Sequence, residues 1–327
     1  MSAPLLLVDD LSVRIRGTTL VDGISFQVDP GEMLGLVGES GSGKSLTLRA
    51  IMRLLPREAA TGGAVLWQGE DLPRLSEAAM RRVRGRAIAM VFQEPMTALN
   101  PVLPIGLQIT ESLSQNLSLR GAAARARAVE LLDLVGIPDA KRRLDNFPHE
   151  FSGGMRQRAM IAIALAPQPK LLLADEPTTA LDVTIQDQIL KLLLRLKDEL
   201  AMSVVLVTHD LGIVAGTCDR VCVLYAGRMM ETGPVRAIFR APAHAYTLGL
   251  IRSVPDRRHA RKHLASIQGA PPDPRALPPG CRFSPRCDFS VPGCDAAPPP
   301  MAEIGAGHGS ACLRAADVMG SAAAEAA

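Results

Sequence analysis

Eight consecutive residues, Gly38-Glu39-Ser40-Gly41-Ser42-Gly43-Lys44-Ser45, have the spacing of a phosphate-binding loop, directly after an apolar run and before a helical pattern. Glycines at that spacing let the backbone curl until successive N–H groups face phosphate oxygens, and the helix continuing through Leu46 adds its positive end. Lys44 brings a point charge to the terminal phosphates, and the Ser45 hydroxyl suits a Mg²⁺ ion bridging them. The run Leu171-Leu172-Leu173-Ala174-Asp175-Glu176 is an apolar strand ending in two carboxylates. Asp175 is the expected Mg²⁺ ligand. Neighbours on a strand face opposite ways, so Glu176 serves the same site because the chain turns at Pro177, and its expected role is general base for an attacking water. Ser152, ahead of Gly153 and Gly154, is expected to cap a helix whose uncluttered N–H groups make a second phosphate cradle.

A phosphate loop and an acidic strand need a sheet to position them. Val/Ile/Leu-rich runs over 5–37, broken at Gly17 and Pro30-Gly31, predict antiparallel N-terminal strands, with Met33 to Val37 as a buried strand. Ala/Leu/Arg-rich segments over about 95–165, such as Ala122 to Val135 ended by Gly136 and Pro138, predict a helical subdomain. Strands return at Leu171 to Ala174, Val204 to Thr208 and Val221 to Tyr225, with an amphipathic helix from about Thr184 to Leu200. Alternating strands and helices give an α/β class with parallel pairing. The expected domains are 1–253, carrying the nucleotide chemistry, and 254–327, a small Pro-, Gly- and Cys-rich extension that ends in a frayed SAAAEAA tail.

The 327 residues suit one large domain and an appendage, and an aromatic content of 3% leaves the core to aliphatic side chains. A net charge of +3 makes no case for a nucleic-acid partner. The basic runs Arg81 to Arg86 and Arg257 to His263 read as solvated faces. The N-terminal apolar run reaches Asp9-Asp10 too early for an export signal, and Pro167, Pro169 and Asp175 interrupt the most apolar region. Any membrane role is therefore expected from a partner. Without export, the six cysteines do not read as a disulfide framework. Cys218 and Cys222 read as core residues. Cys281, Cys287, Cys294 and Cys312 lie in a loop-rich segment with few apolar residues, for which tetrathiolate zinc and a [4Fe–4S] cluster both fit, with free thiols as the alternative.

Phe151-Ser152-Gly153-Gly154-Met155-Arg156-Gln157-Arg158, some twenty residues before the acidic strand, resembles the signature sequence of ATP-binding cassette (ABC) proteins. That resemblance implies a phosphate-loop NTPase of the ABC nucleotide-binding type, with a mixed sheet core, antiparallel N-terminal strands and a helical subdomain. It also implies an ATPase in which the phosphate loop of one subunit and the signature of another close over one ATP. Gln93, in Val91-Phe92-Gln93-Glu94-Pro95, resembles the glutamine loop that reaches Mg²⁺ and couples to the membrane partner. Thr179-Ala180-Leu181-Asp182 resembles the loop that carries signals across the dimer, and His209 the switch histidine at the terminal phosphate. The family usually stacks an aromatic residue on adenine, whereas Val13-Arg14-Ile15-Arg16 offers none and Ile15 or Arg16 is expected to take that place.

Glu94 to Pro101, Phe147 to Ser152, and the tail with Cys281, Cys287, Cys294 and Cys312 resemble the peptide/nickel importer branch, close to dipeptide and oligopeptide permease ATPases. This implies a [4Fe–4S] cluster on the four cysteines and a place on the cytoplasmic face of the bacterial inner membrane. It further implies integral permease subunits and a second ATPase subunit, itself or a paralogue, as partners, with a substrate-binding protein delivering the cargo. A cassette ATPase acting on DNA or ribosomes would carry two cassettes or a coiled-coil insertion, and the sequence shows neither.

Overall fold

The computed structural model of the chain describes residues 3–179, 181–254 and 267–326. It divides into two compact units: Met1–Asp29, Met33–Pro73 and Thr208–Ala327 form the first, Pro30–Glu32 and Arg74–Val207 the second. The basic run 257–263 lies outside the described residues, as does Ala180.

The first unit opens with β1 (Leu6–Ile15), β2 (Thr18–Val28), β3 (Met33–Val37), α1 (Lys44–Ile51), β4 (Ala59–Trp67) and β5 (Glu70–Asp71). β2, β1, β4 and β5 form an antiparallel sheet in that order. Along β1 the buried residues are Leu6 and Val8, then Leu11 and Val13, so the alternation slips by one. A bulge causes the slip: Asp10 takes φ 50°, and a Cβ on the opposing Gly63 would stand 2.3 Å from the Asp10 carbonyl oxygen. β3 is buried along its whole length, as expected for a strand that delivers the phosphate loop.

The second unit holds α2 (Glu77–Val83), β6 (Ile88–Val91), α3 (Pro95–Ala98), α4 (Ile105–Leu117), α5 (Gly121–Leu134), α6 (Ala140–Arg143), α7 (Gly153–Leu165), β7 (Leu171–Asp175), α8 (Val183–Glu199) and β8 (Ser203–Thr208). β7 pairs in parallel with both β6 and β8. The expected helical subdomain is present as α3 to α7. Within it, α5 stops just before Gly136, at φ 74°, where the sequence predicts a helix end. Arg84, at the end of α2, pairs with Glu77 at 2.6 Å, and Arg81 is exposed, as a solvated basic face requires.

The chain returns to the first unit with α9 (Leu211–Thr217), β9 (Arg220–Tyr225), β10 (Arg228–Pro234), α10 (Val235–Arg240), α11 (Ala245–Ser253), β11 (Ala302–Gly305), β12 (His308–Ser310) and α12 (Ala315–Ala326). β9 runs parallel to β3, and β10, β12 and β11 extend it antiparallel. One core cluster joins Val37, Val223, Tyr225 and Tyr246 to Phe283 and Val318. The C-terminal segment therefore shares this core. Tyr225, Tyr246 and Phe283 meet with ring centroids 4.7 to 5.3 Å apart. Cys222 is buried in β9, the core position expected of it.

The tail corrects an expectation. Through Ala326 it forms α12 rather than fraying, because Val318 is fully buried, Ala322 one turn on packs against the same cluster, and Arg252 of α11 donates to Ser321 Oγ at 3.2 Å.

Two buried polar groups fix the path. Glu231, fully buried, accepts from the N–H groups of Ala243 (2.8 Å) and His244 (3.0 Å) and lies 2.7 Å from His308 Nε2. His244 caps α11, its Nδ1 accepting from Tyr246 N–H at 3.1 Å. Burial lowers the His244 pKa from 6.5 to about 4. Between those values the unfolded chain binds a proton that the native protein refuses, so stability is full above pH 6.5 and lost as pH falls toward 4. The fall amounts to about 3 kcal/mol. Thermal unfolding from pH 7 to 4 should show this loss, and His244→Asn, which keeps a capping acceptor, should flatten the slope.

Candidate active site

In the first unit the phosphate loop runs from β3 into α1, whose N-cap Gly43 takes φ 98° without a side-chain cap. The first N–H groups of α1 are therefore not taken by a capping side chain. Lys44 is 5% exposed and its Nζ donates to the carbonyls of Gly38 (2.6 Å) and Glu39 (2.9 Å) and to Ser42 Oγ (3.3 Å). The ammonium thus braces the loop from inside. From outside, Gly227 N–H donates to the Ser42 carbonyl at 3.1 Å, and the Glu39 N–H donates to Tyr246 Oη at 2.8 Å. Burial, first among its causes, pushes the Tyr246 phenol pKa well above 10, so the hydroxyl stays neutral. A Cβ on Gly38 would stand 2.0 Å from the Leu224 carbonyl oxygen, whereas one on Gly41 would meet nothing within 4 Å. The loop is packed tightly on its strand side and open at Gly41, as a backbone cradle requires. Ser45 and Leu46 lie in the first turn of α1. His209 follows β8, is exposed, and precedes Asp210, which caps α9 by accepting from Gly212 N–H at 2.7 Å. Ile15 closes β1 and Arg16 turns at φ 49°.

In the second unit β7 ends at Asp175, 1% exposed, and Glu176 takes φ 44°, with its N–H on the Val207 carbonyl. That left-handed step is the turn expected at Pro177. Glu176 Oε2 accepts from Thr179 Oγ1 at 2.8 Å and from Gln93 Nε2 at 3.2 Å. Gln93 and Glu176, 83 residues apart, are thereby brought together. Thr179 was not expected to orient the carboxylate; its place three residues after Glu176 was the available signal.

Ser152 caps α7 as expected, accepting from Met155 N–H at 3.4 Å. Gly154 lets the start of α8 approach: a Cβ there would meet Ile185 Cγ2 at 2.8 Å, and one on Gly153 would meet Leu181 at 3.5 Å. Asp182 caps α8 by accepting from Ile185 N–H at 3.0 Å. Ser152 and Asp182 thus use their side chains to cap the two helices that these glycines bring together. Phe151 is 2% exposed, a packing role for the residue preceding the cap.

Comparison with known proteins bears on these features together. Residues 21–179 match the ABC transporter family, and residues 230–294 match the oligopeptide/dipeptide transporter C-terminal region. The chain is 52% identical over 316 residues, 95% of each protein, to a putative peptide import ATP-binding protein of Brucella abortus. It is 51% identical over 322 residues, 96% of each, to a probable peptide ABC transporter ATP-binding protein of Sinorhizobium fredii. The chain belongs to the ABC transporter family. It is one of that family's ATPase subunits. A solved dimeric ATP-binding cassette in a post-hydrolysis state, bound to ADP and Pi, superposes with a TM-score of 0.62 at 29% identity over 71% of this chain and 99% of that one. A subunit of the ABC transporter complex cbiONQ from Clostridium perfringens superposes with a TM-score of 0.64 at 28% identity, covering 73% and 91%.

For this ABC ATPase subunit the expected Mg²⁺ donors are Ser45, Gln93 and Asp175, all neutral or carboxylate oxygens. Such donors suit Mg²⁺, a hard cation that takes oxygen ligands and binds through one or two carboxylates together with phosphate and water. The expected [4Fe–4S] cluster is not supported. Among the described residues, no group of three or more His, Cys, Asp or Glu side chains could hold a metal ion. Cys281, Cys287, Cys294 and Cys312 converge closely enough to interact electrostatically, yet they are free thiols. Burial, the largest effect on each, raises the pKa of Cys281 and Cys312 and takes Cys287 to about 11.

Gly38→Ala should force the phosphate loop off β9, lowering ATP affinity at least about tenfold and stability by about 2 kcal/mol, as mutants at strained backbone sites do. Nucleotide titration and thermal unfolding would check both.

Proposed function

We propose that this chain hydrolyses ATP to power uptake of di- or oligopeptides through integral membrane permease subunits, working from the cytoplasmic face of the bacterial inner membrane. The observation that carries the reading is the presence in one chain of two backbone cradles, the open loop at Gly41 and the Ser152-capped start of α7. A Cβ on Gly41 would meet nothing within 4 Å, and α7 opens on two glycines behind its Ser152 cap. Two cradles on one chain suit two subunits that exchange halves, the second ATPase subunit being a copy or a paralogue. Peptide cargo is supported by the relatives' names and by the match over 230–294. Among the described residues no helix is long and apolar enough to cross a membrane, so the conduit belongs to partners.

In this reading Gly38 to Leu46 hold the ATP phosphates through backbone N–H groups and Lys44, while His209 and Asp182 face the terminal phosphate and the dimer contact. Ser45, Gln93 and Asp175 would hold Mg²⁺, which would neutralise phosphate charge there. Glu176, oriented by Thr179 Oγ1 and Gln93 Nε2, accepts the proton of the attacking water. Ser152, Gly153 and Gly154 close over the γ-phosphate of the facing subunit. The nucleotide-binding domain is taken as 1–253 and the extension as 254–327. A cleft of about 740 Å³ in the helical subdomain, lined by Pro104, Leu107, Leu119, Ala124 and Leu144, is a seat for a permease helix. Leu107 in its lining is 50% exposed.

Glu176→Gln keeps an acceptor for Thr179 but removes the base. Phosphate release should fall at least about 100-fold with ATP affinity within about threefold of wild type. Equal phosphate-release rates would remove Glu176 from the chemistry.

A further inference from the structure

The segment Cys281-Arg282-Phe283-Ser284-Pro285-Arg286-Cys287 belongs to the C-terminal region, yet both its arginines reach elements at the nucleotide end of the first unit. Arg282 pairs with Asp22 and with the Ala226 carbonyl. Arg286 reaches the phosphate loop itself: its Nη1 donates to Glu39 Oε2 at 2.8 Å and its Nη2 to Glu39 Oε1 at 3.1 Å. This two-pronged geometry belongs to guanidinium and is not reproduced by an ammonium. The Arg286 side chain is 7% exposed and that of Glu39 26%. Its Cζ lies 5.6 Å from the Tyr225 ring centre and 5.8 Å from that of Phe283, Nη1 also donates to Tyr225 Oη at 3.0 Å, and Nε donates to the Gln268 carbonyl at 2.8 Å. Carboxylate, phenol, ring and carbonyl contacts thus together hold this guanidinium.

The chemistry of the pairing follows from where Glu39 sits. It is the second residue of a loop built to hold a polyphosphate, and its own carbonyl receives Lys44. A carboxylate there repels the nucleotide unless a cation cancels it, and burial limits how far solvent can do so. We propose that Arg286 is a positioning residue for ATP: it neutralises Glu39 and fixes that side chain away from the phosphates, making the C-terminal region a working part of the nucleotide site. The inference rests on the phosphate loop being the ATP site.

The test compares MgATP affinity and steady-state phosphate release in the full-length chain for wild type, Arg286→Met, Glu39→Gln and the double variant. Arg286→Met should raise both Kd and KM for ATP about tenfold while kcat stays within about twofold, because the uncompensated carboxylate opposes binding rather than the chemical step. Raising ionic strength from about 0.05 M to about 0.5 M should shrink that defect. Adding Glu39→Gln should restore affinity to within about threefold of wild type, which no loss of packing would permit. Wild-type affinity in Arg286→Met, or a double variant as weak as Arg286→Met, would overturn the proposal and leave Arg286 a structural brace. If Arg286→Met does not fold, Arg286→Gln, which also removes the charge, is read with and without Glu39→Gln by the same criteria. Failure of the wild-type chain to bind MgATP at all would instead remove the ATPase reading beneath it.

Discussion

A buried ammonium holds the centre of this molecule. Lys44 Nζ, bonded to the carbonyls of Gly38 and Glu39 and to Ser42 Oγ, ties both ends of an eight-residue loop that has no core of its own. A chain of backbone closed on a cation turns its N–H groups outward, and those N–H groups are what a phosphate recognises. β3 brings the chain to that point, Leu224 of β9 forbids a side chain at Gly38, and the Tyr246 hydroxyl holds the Glu39 N–H. The loop's shape is thus set by three elements that lie far apart in sequence.

The second unit repeats the same economy with carboxylates and caps. Glu176 is turned out of β7 by a left-handed residue and then held by two donors, so its orientation does not depend on a ligand. Ser152 and Asp182 use their side chains to cap α7 and α8, accepting from Met155 and Ile185 N–H. Phosphate recognition by backbone explains why so few charged side chains are needed, and why a net charge of +3 suffices for a nucleotide enzyme.

The elements and the residues of the site were legible in the sequence to different degrees. The phosphate loop, the acidic strand and the capped glycine pair announce themselves because each is local: glycine, a capping serine and a strand-terminal acid have meaning within a few residues. The bulge at Asp10 and Gly63, the Thr179 bond to Glu176 and the helical tail were not legible, because each depends on a neighbour chosen by tertiary packing. α12 shows this well, since SAAAEAA has little to bury until Val318 and Ala322 find the cluster around Tyr246 and Phe283. Spacing gathers the four cysteines in one short region, but only tertiary packing sets Cys281, Cys287 and Cys312 against the cluster around Tyr225 and Phe283.

The proposed function requires that two stretches of backbone, 38–46 and 152–155, both serve as phosphate ligands in the assembled ATPase. Hydrogen–deuterium exchange reads those N–H groups directly. With Glu176→Gln to stop turnover, saturating MgATP should slow exchange in both segments of the assembled transporter, whether the facing subunit is a copy or a paralogue. Protection confined to 38–46, or absent from both, would contradict the account.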